Sequence, residues 1–188
     1  MSAVPTISIT NAQLYTAFGN WLVAMLGTGA NIEQGQQNRI AMPQGNYVVM
    51  TLIGGVEALH KGARNFVWTP GSSNPGTEAI TKGMKDVLQL DFYGPGARDW
   101  ATLISELIST EYNFDYFAAQ QANGGPDMQP LFATGIRNLT LINGENQYES
   151  RWGFDLHFQF NPVVTFQQDF MTTLAITPVN VDAQFPPE

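Results

Sequence analysis

Two histidines, His60 and His157, and three acids, Glu145, Glu149 and Asp155, have the widest chemical range of any side chains in this sequence. A histidine titrating near neutrality can move a proton or hold a metal ion. Neighbouring carboxylates held in different environments can divide acid and base roles between them. The spacing builds neither device. The histidines lie far apart, no third histidine joins them, and Cys stands at 0, which removes thiolate zinc ligands, thiol nucleophiles and disulfides together. The three acids share one parity of an alternating stretch, the polar side of a strand, where carboxylates are ordinarily solvated. No Gly-x-Ser-x-Gly elbow, phosphate loop or Gly-x-Gly-x-x-Gly turn is present. Asn138-Leu139-Thr140 matches a glycosylation sequon, which has meaning only for a secreted chain. These residues predict a protein that is not an enzyme and carries no cofactor or metal.

The charge balance narrows the partners. The 188 residues hold 8 Lys+Arg against 16 Asp+Glu, a net charge of −8. Gripping duplex DNA requires several cations that neutralise phosphates and release counterions. Here the cations are Arg39, Lys61, Arg64, Lys82, Lys85, Arg98, Arg137 and Arg151, with no dense patch in sequence. DNA can pass such a protein without sticking. Only 13% of residues are charged while 44% are hydrophobic, a balance that suits a surface partly lost to partners. No apolar run approaches the ~20 residues of a membrane span. Met1 to Thr10 lacks the basic start and apolar centre of a signal peptide, in keeping with synthesis in a cytoplasm.

The elements that position these residues follow from periodicity. From Asn146 to Asn161, Tyr148, Trp152, Phe154, Leu156, Phe158 and Phe160 fall on one parity; Gln147, Glu149, Arg151, Asp155, His157 and Gln159 fall on the other. This predicts a half-buried strand of roughly 50 Å at ~3.3 Å per residue, long enough to overhang its domain and offer an edge to a second chain. Tyr148 and Trp152 are expected in the core. Asn143-Gly144 is a tight-turn pair, and Glu145 and Arg151 place opposite charges close together, so Asn143, Glu145, Glu149 and Arg151 are candidate assembly residues. Asn11 is the expected N-cap of a helix through Leu14, Tyr15, Phe18, Trp21, Leu22, Met25 and Leu26, ended by Gly27 and Gly29. A second helix carries Ala97, Trp100, Leu103, Ile104, Leu107 and Ile108 on one stripe, with residues 111–118 as its extension. Strands are expected over Tyr47 to Leu59, bulged at Gly54-Gly55, over Met84 to Tyr93, and over Met171 to Asp182. The long strand is expected to reach a break at Asn161-Pro162 and to continue over Val163 to Phe166, and Met128 to Leu141 to be irregular with short strand character. Between two of these, residues 60–82 are rich in Gly, Ser, Asn, Pro and Thr and read as a projecting loop or hairpin. Lys61, Arg64, Lys82 and Lys85 gather on it against the single acid Glu78, which makes them candidates for touching an acidic neighbour. The expectation is one α+β domain over residues 1–188, a mainly antiparallel sheet with two amphipathic helices and one excursion.

Several strings in order along the chain resemble bacteriophage neck and tail-terminator proteins. They are Gln34-Gly35-Gln36-Gln37-Asn38-Arg39, Pro43-x-Gly45-x-Tyr47-Val48-Val49-Met50-Thr51, and Leu90-Asp91-Phe92-Tyr93-Gly94-Pro95-Gly96-Ala97. Ile142-Asn143-Gly144-Glu145-Asn146-Gln147-Tyr148-Glu149-x-Arg151-Trp152, Asn161-Pro162-Val163-Val164-Thr165 and Val179-Asn180-Val181-Asp182-Ala183 complete the set. The resemblance covers nearly the whole chain and is weakest over residues 60–82. It implies a structural virion protein made in the bacterial host cytoplasm, forming a homo-oligomeric ring, typically six-fold, that caps the tail tube. The tail tube protein, the neck or connector protein and a sheath are the implied neighbours, and DNA passes through the lumen without specific binding. A head-completion or adaptor ring nearer the portal is the alternative within the same class. A small enzyme or carbohydrate-binding module is the alternative outside it, encouraged only by the 12% aromatic content.

Overall fold

The computed structural model describes residues 4–37, 43–60, 62, 64–71, 75–142 and 148–169. The chain begins with β1 (Thr6–Ile7), α1 (Asn11–Leu26), β2 (Asn31–Gln34), β3 (Tyr47–Leu52) and β4 (Glu57–Ala58). A hairpin of β5 (Asn65–Thr69) and β6 (Gly76–Thr81) precedes β7 (Met84–Tyr93), α2 (Ala97–Leu107) and α3 (Glu111–Ala122). Then come β8 (Met128–Ala133), β9 (Arg137–Asn138), β10 (Leu141–Ile142), β11 (Tyr148–Glu149), β12 (Arg151–Phe160) and β13 (Val163–Gln168). The α+β expectation is met, with three helices among the described residues in place of two.

The main sheet has the order β2-β3-β7-β12-β8, with β4 added to β7 and β9 to β12. Its spine is the ten-residue antiparallel register from Arg151↔Tyr93 to Phe160↔Met84. Alternation along β12 turns Phe154, Leu156 and Phe158 into the core, all fully buried. Phe18 of α1 meets Phe158 edge-on at 4.9 Å and Phe117 of α3 at 5.9 Å, so the two helices and the sheet share one aromatic centre. Each such large side chain contributes roughly 1.5–3 kcal/mol by leaving water. All pairings in this sheet are antiparallel except β2 with β3, which is parallel.

Several expectations need correcting. The long strand is split at Ser150 into β11 and β12, and β12 lies in the middle of the sheet, paired on both sides. It therefore offers no overhanging edge. Tyr148, expected in the core, is 82% exposed, while Trp152 is half-buried against the core. β13 does not continue β12: after Asn161-Pro162 the chain enters a second, four-stranded sheet of order β1-β13-β6-β5. The residues Met171 to Asp182, expected as a strand, lie outside the described residues.

The helix ends show why local signals were misread. Thr10, not Asn11, caps α1, in a capping box where its hydroxyl accepts from the Gln13 N–H and its own N–H donates to Gln13 Oε1 at 2.8 Å. Gly27 closes the helix at φ 99°, a conformation that disfavours any residue with a Cβ. Residues 111–118 do not extend α2, because Thr110 is extended and caps a fresh helix through Asn113. Asn113 is buried and donates its side-chain amide to Ile108 O at 3.0 Å, which locks the corner between α2 and α3. On α2 the buried stripe is Ala97, Ala101 and Ile104, with Ile108 just beyond, and Leu103 points outward at 44% exposure. The strand expected over Tyr47 to Leu59 is interrupted between β3 and β4, and the bulge falls at Ile53-Gly54, one residue before Gly54-Gly55: both N–H groups donate to Val87 O, at 3.0 and 3.3 Å.

Candidate assembly surface

Arg151 sits at the end of β12 on the face away from the helices, in register with Tyr93 and, beyond it, Tyr47. Its guanidinium donates from Nε at 3.1 Å and from a terminal nitrogen at 2.8 Å to the two oxygens of Asp91. This is the planar two-point match that arginine makes with a carboxylate. Tyr47 and Tyr93 stack at 4.6 Å, and the Arg151 guanidinium lies over the Tyr93 ring at 5.5 Å. The Tyr47 hydroxyl donates to Glu149 at 3.1 Å. Hydrogen bonding to Asp91 raises the Arg151 pKa against the opposing effect of burial. Burial raises the Tyr47 pKa, helped by the charge of Glu149 and its hydrogen bond. Gly153 makes room for the pair, since a Cβ there would lie 2.5 Å from Asp91 Oδ1. The cluster is an internal clamp joining β3, β7, β11 and β12. Arg151, expected to face Glu145 or a neighbour, is held within its own chain by Asp91.

The other candidate residues scatter. Asn143, Glu145 and Lys61 lie outside the described residues. Glu149 belongs to the clamp. Lys85 pairs with Glu57 at 2.9 Å across the β4–β7 register, an exposed pair of small energetic weight. Arg64 and Lys82 flank the base of the hairpin, one position beyond the Asn65↔Thr81 pair. The two histidines do not meet in one described constellation: His60 is exposed, while His157 stacks on Phe132 at 4.4 Å. His157, Glu57, Lys85 and Asp86 line a pocket of about 160 Å³ with Gly55 and Val87. Burial raises the Asp86 pKa, partly offset by the hydrogen bond from the Val87 N–H. Among the described residues no group of three His, Cys, Asp or Glu is arranged to hold a metal.

The hairpin expected over residues 60–82 is present as β5 and β6; what sequence reasoning missed is the four-stranded sheet that it joins. Residues 65–69, Asn-Phe-Val-Trp-Thr, were hidden inside a stretch rich in Gly, Ser and Pro, although their β-branched and aromatic content is a strand signal. They form β5, an edge strand whose five residues are all exposed. Register puts Ile7, Val164, Ile80 and Phe66 in one row across the sheet, with Phe166 and Trp68 on the same face. Phe66 is 55% exposed and Trp68 49%. Edge strands are commonly protected by charge, proline or a bulge, and β5 contains none of these. β6 is an interior strand of this sheet, paired with β5 on one side and β13 on the other.

The described residues thus combine an aromatic core under three helices, an internal ion-pair clamp, and a second sheet that shows apolar side chains to solvent. The sequence model of the phage neck terminator proteins matches residues 12–184, and the chain belongs to that family. No curated protein matches the chain. Membership makes it a structural component of the phage neck, associated with the virion and with other neck and tail proteins. No helix among the described residues is long and apolar enough to cross a membrane.

Proposed function

We propose that this protein ends the phage tail tube as a closed ring at the neck–tail junction and joins the tube to the head connector. The observation that carries the reading is β5, an uncharged and exposed edge strand in a member of the neck terminator family. A tube grows by identical head-to-tail contacts, which do not close by themselves. A terminator matches the tube on one face and presents something different on the other. Ring closure needs two unlike lateral surfaces on each copy, and six copies is the number that the resemblance implies. Its neighbours are the tail tube protein, the neck or connector protein and, where the tail is contractile, the sheath. The protein is made in the host cytoplasm and performs no catalysis. The net charge of −8 suits a lumen that repels phosphates and lets DNA slide. Native mass spectrometry of tube-bound or particle-derived material tests the reading: a closed oligomer is expected, and one copy per particle would sink it.

A further inference from the structure

We infer that the lateral contact of the proposed ring is made between the apolar face beside β5 in one copy and the acidic outer stripe of α2 in the next. The partner is a second copy of this chain, and the inference rests on the ring reading. The two surfaces are complementary in three respects.

The first is charge. α2 and α3 expose Asp99, Glu106, Glu111 and Asp115 against the single cation Arg98, whose guanidinium lies over Trp152 at 5.5 Å. At the hairpin base Arg64 and Lys82 each lie one position beyond the Asn65↔Thr81 pair, and neither belongs to an ion pair described in the chain. Copies carrying −8 each repel one another unless such unlike patches meet.

The second is apolar surface. Leu103, 44% exposed, lies between Asp99 four residues before it and Glu106 three residues after it, on one side of α2. Phe66 lies two residues beyond Arg64 on the strand side. The third is spacing. Asp99 and Leu103 are about 6 Å apart along a helix axis, and Arg64 and Phe66 about 7 Å apart along an extended chain. A carboxylate can therefore reach the hairpin cations while Leu103 covers Phe66. Because the surfaces are unlike, the contact is heterologous and propagates around an axis, as a ring requires.

The chain has no cysteine, so introduced thiols report contacts without background. Phe66→Cys with Leu103→Cys in one chain, treated with a short bismaleimide at high protein concentration, is expected to give a ladder of linked multimers. Neither single variant is expected to link. Arg64→Glu with Lys82→Glu should cut the linked yield at least about tenfold, since like charges then face each other. Adding Asp99→Lys and Glu106→Lys to that chain should restore it. Thermal melting of each variant checks that the fold is intact, as all four acceptor and donor positions lie outside the core. Links from Phe66→Cys alone, no ladder from the pair, or no rescue by the reversed helix would each overturn the inference. Native mass spectrometry of the same samples separates this result from the ring reading. A closed oligomer without Phe66–Leu103 links leaves the ring standing and removes this contact. Open chains with the links keep the contact and remove the ring.

Discussion

Replacing Arg151 by Met separates an internal clamp from an assembly contact. The substitution keeps most of the side-chain length but removes both donors to Asp91, at 3.1 and 2.8 Å. Breaking a buried ion pair from one side costs about 3–5 kcal/mol, because the remaining charge is left without a partner. The Asp91 side chain is 6% exposed, but that of Arg151 is 28% exposed, so water replaces part of what is lost. The expected loss is then about 2–3 kcal/mol. For a chain of this size each kcal/mol moves Tm by roughly 2–4 °C, so a fall of about 4–12 °C is expected. Urea unfolding at pH 7 gives the free energy directly, and a cycle with Asp91→Asn isolates the coupling. A loss below about 0.5 kcal/mol, the behaviour of a surface pair, would refute the clamp. Normal stability combined with failed incorporation into particles would return Arg151 to the assembly surface.

Burial holds the Asp86 pKa above its usual 3.8, so the folded state binds the proton better than the unfolded state and Asp86 weakens the fold once both states are ionised. Asp86→Asn should therefore raise Tm at pH 7, with a gain that shrinks as pH falls toward 4; an unchanged or lower Tm at pH 7 would show that the charge is accommodated. The Tyr47 pKa is raised above 10.0, so its contribution is intact below pH 10 and is lost as pH climbs beyond it. Tyr47→Phe should flatten the alkaline fall in Tm, and an identical fall in both proteins would count against the assignment. With −8 net charge, duplex affinity at physiological salt should be no tighter than ~10⁻⁴ M, and micromolar binding by fluorescence anisotropy would show that the charge argument fails.

Periodicity carried the main sheet. The parity of Phe154 to Phe160 located the buried face of β12, and the Gly54-Gly55 pair located the bulge to within one residue. What it could not carry was context. Alternation says which side of a strand is dry, not whether the strand is central, so it does not reveal that β7 and β8 flank β12. Ser150 interrupts the run, β13 pairs with β1 and β6 in the second sheet, and no local residue preference marks Tyr148 as exposed. The opposite charges of Glu145 and Arg151 mark Arg151 in the sequence, but its partner Asp91 is 60 residues away and on a different strand. The hairpin of β5 and β6 is legible in residues 60–82, but its pairing with β13 joins segments more than 80 residues apart and leaves no local signal.

The proposed function gives this protein a definite place in the particle. Cryo-electron microscopy of intact virions, with this chain located by fitting its main sheet and second sheet to density, tests it most directly. A ring of identical copies is expected at the head-proximal end of the tail tube, with each β5 turned toward the neighbouring copy. Density for a single copy, or a ring in the capsid or at the tail tip, would contradict it.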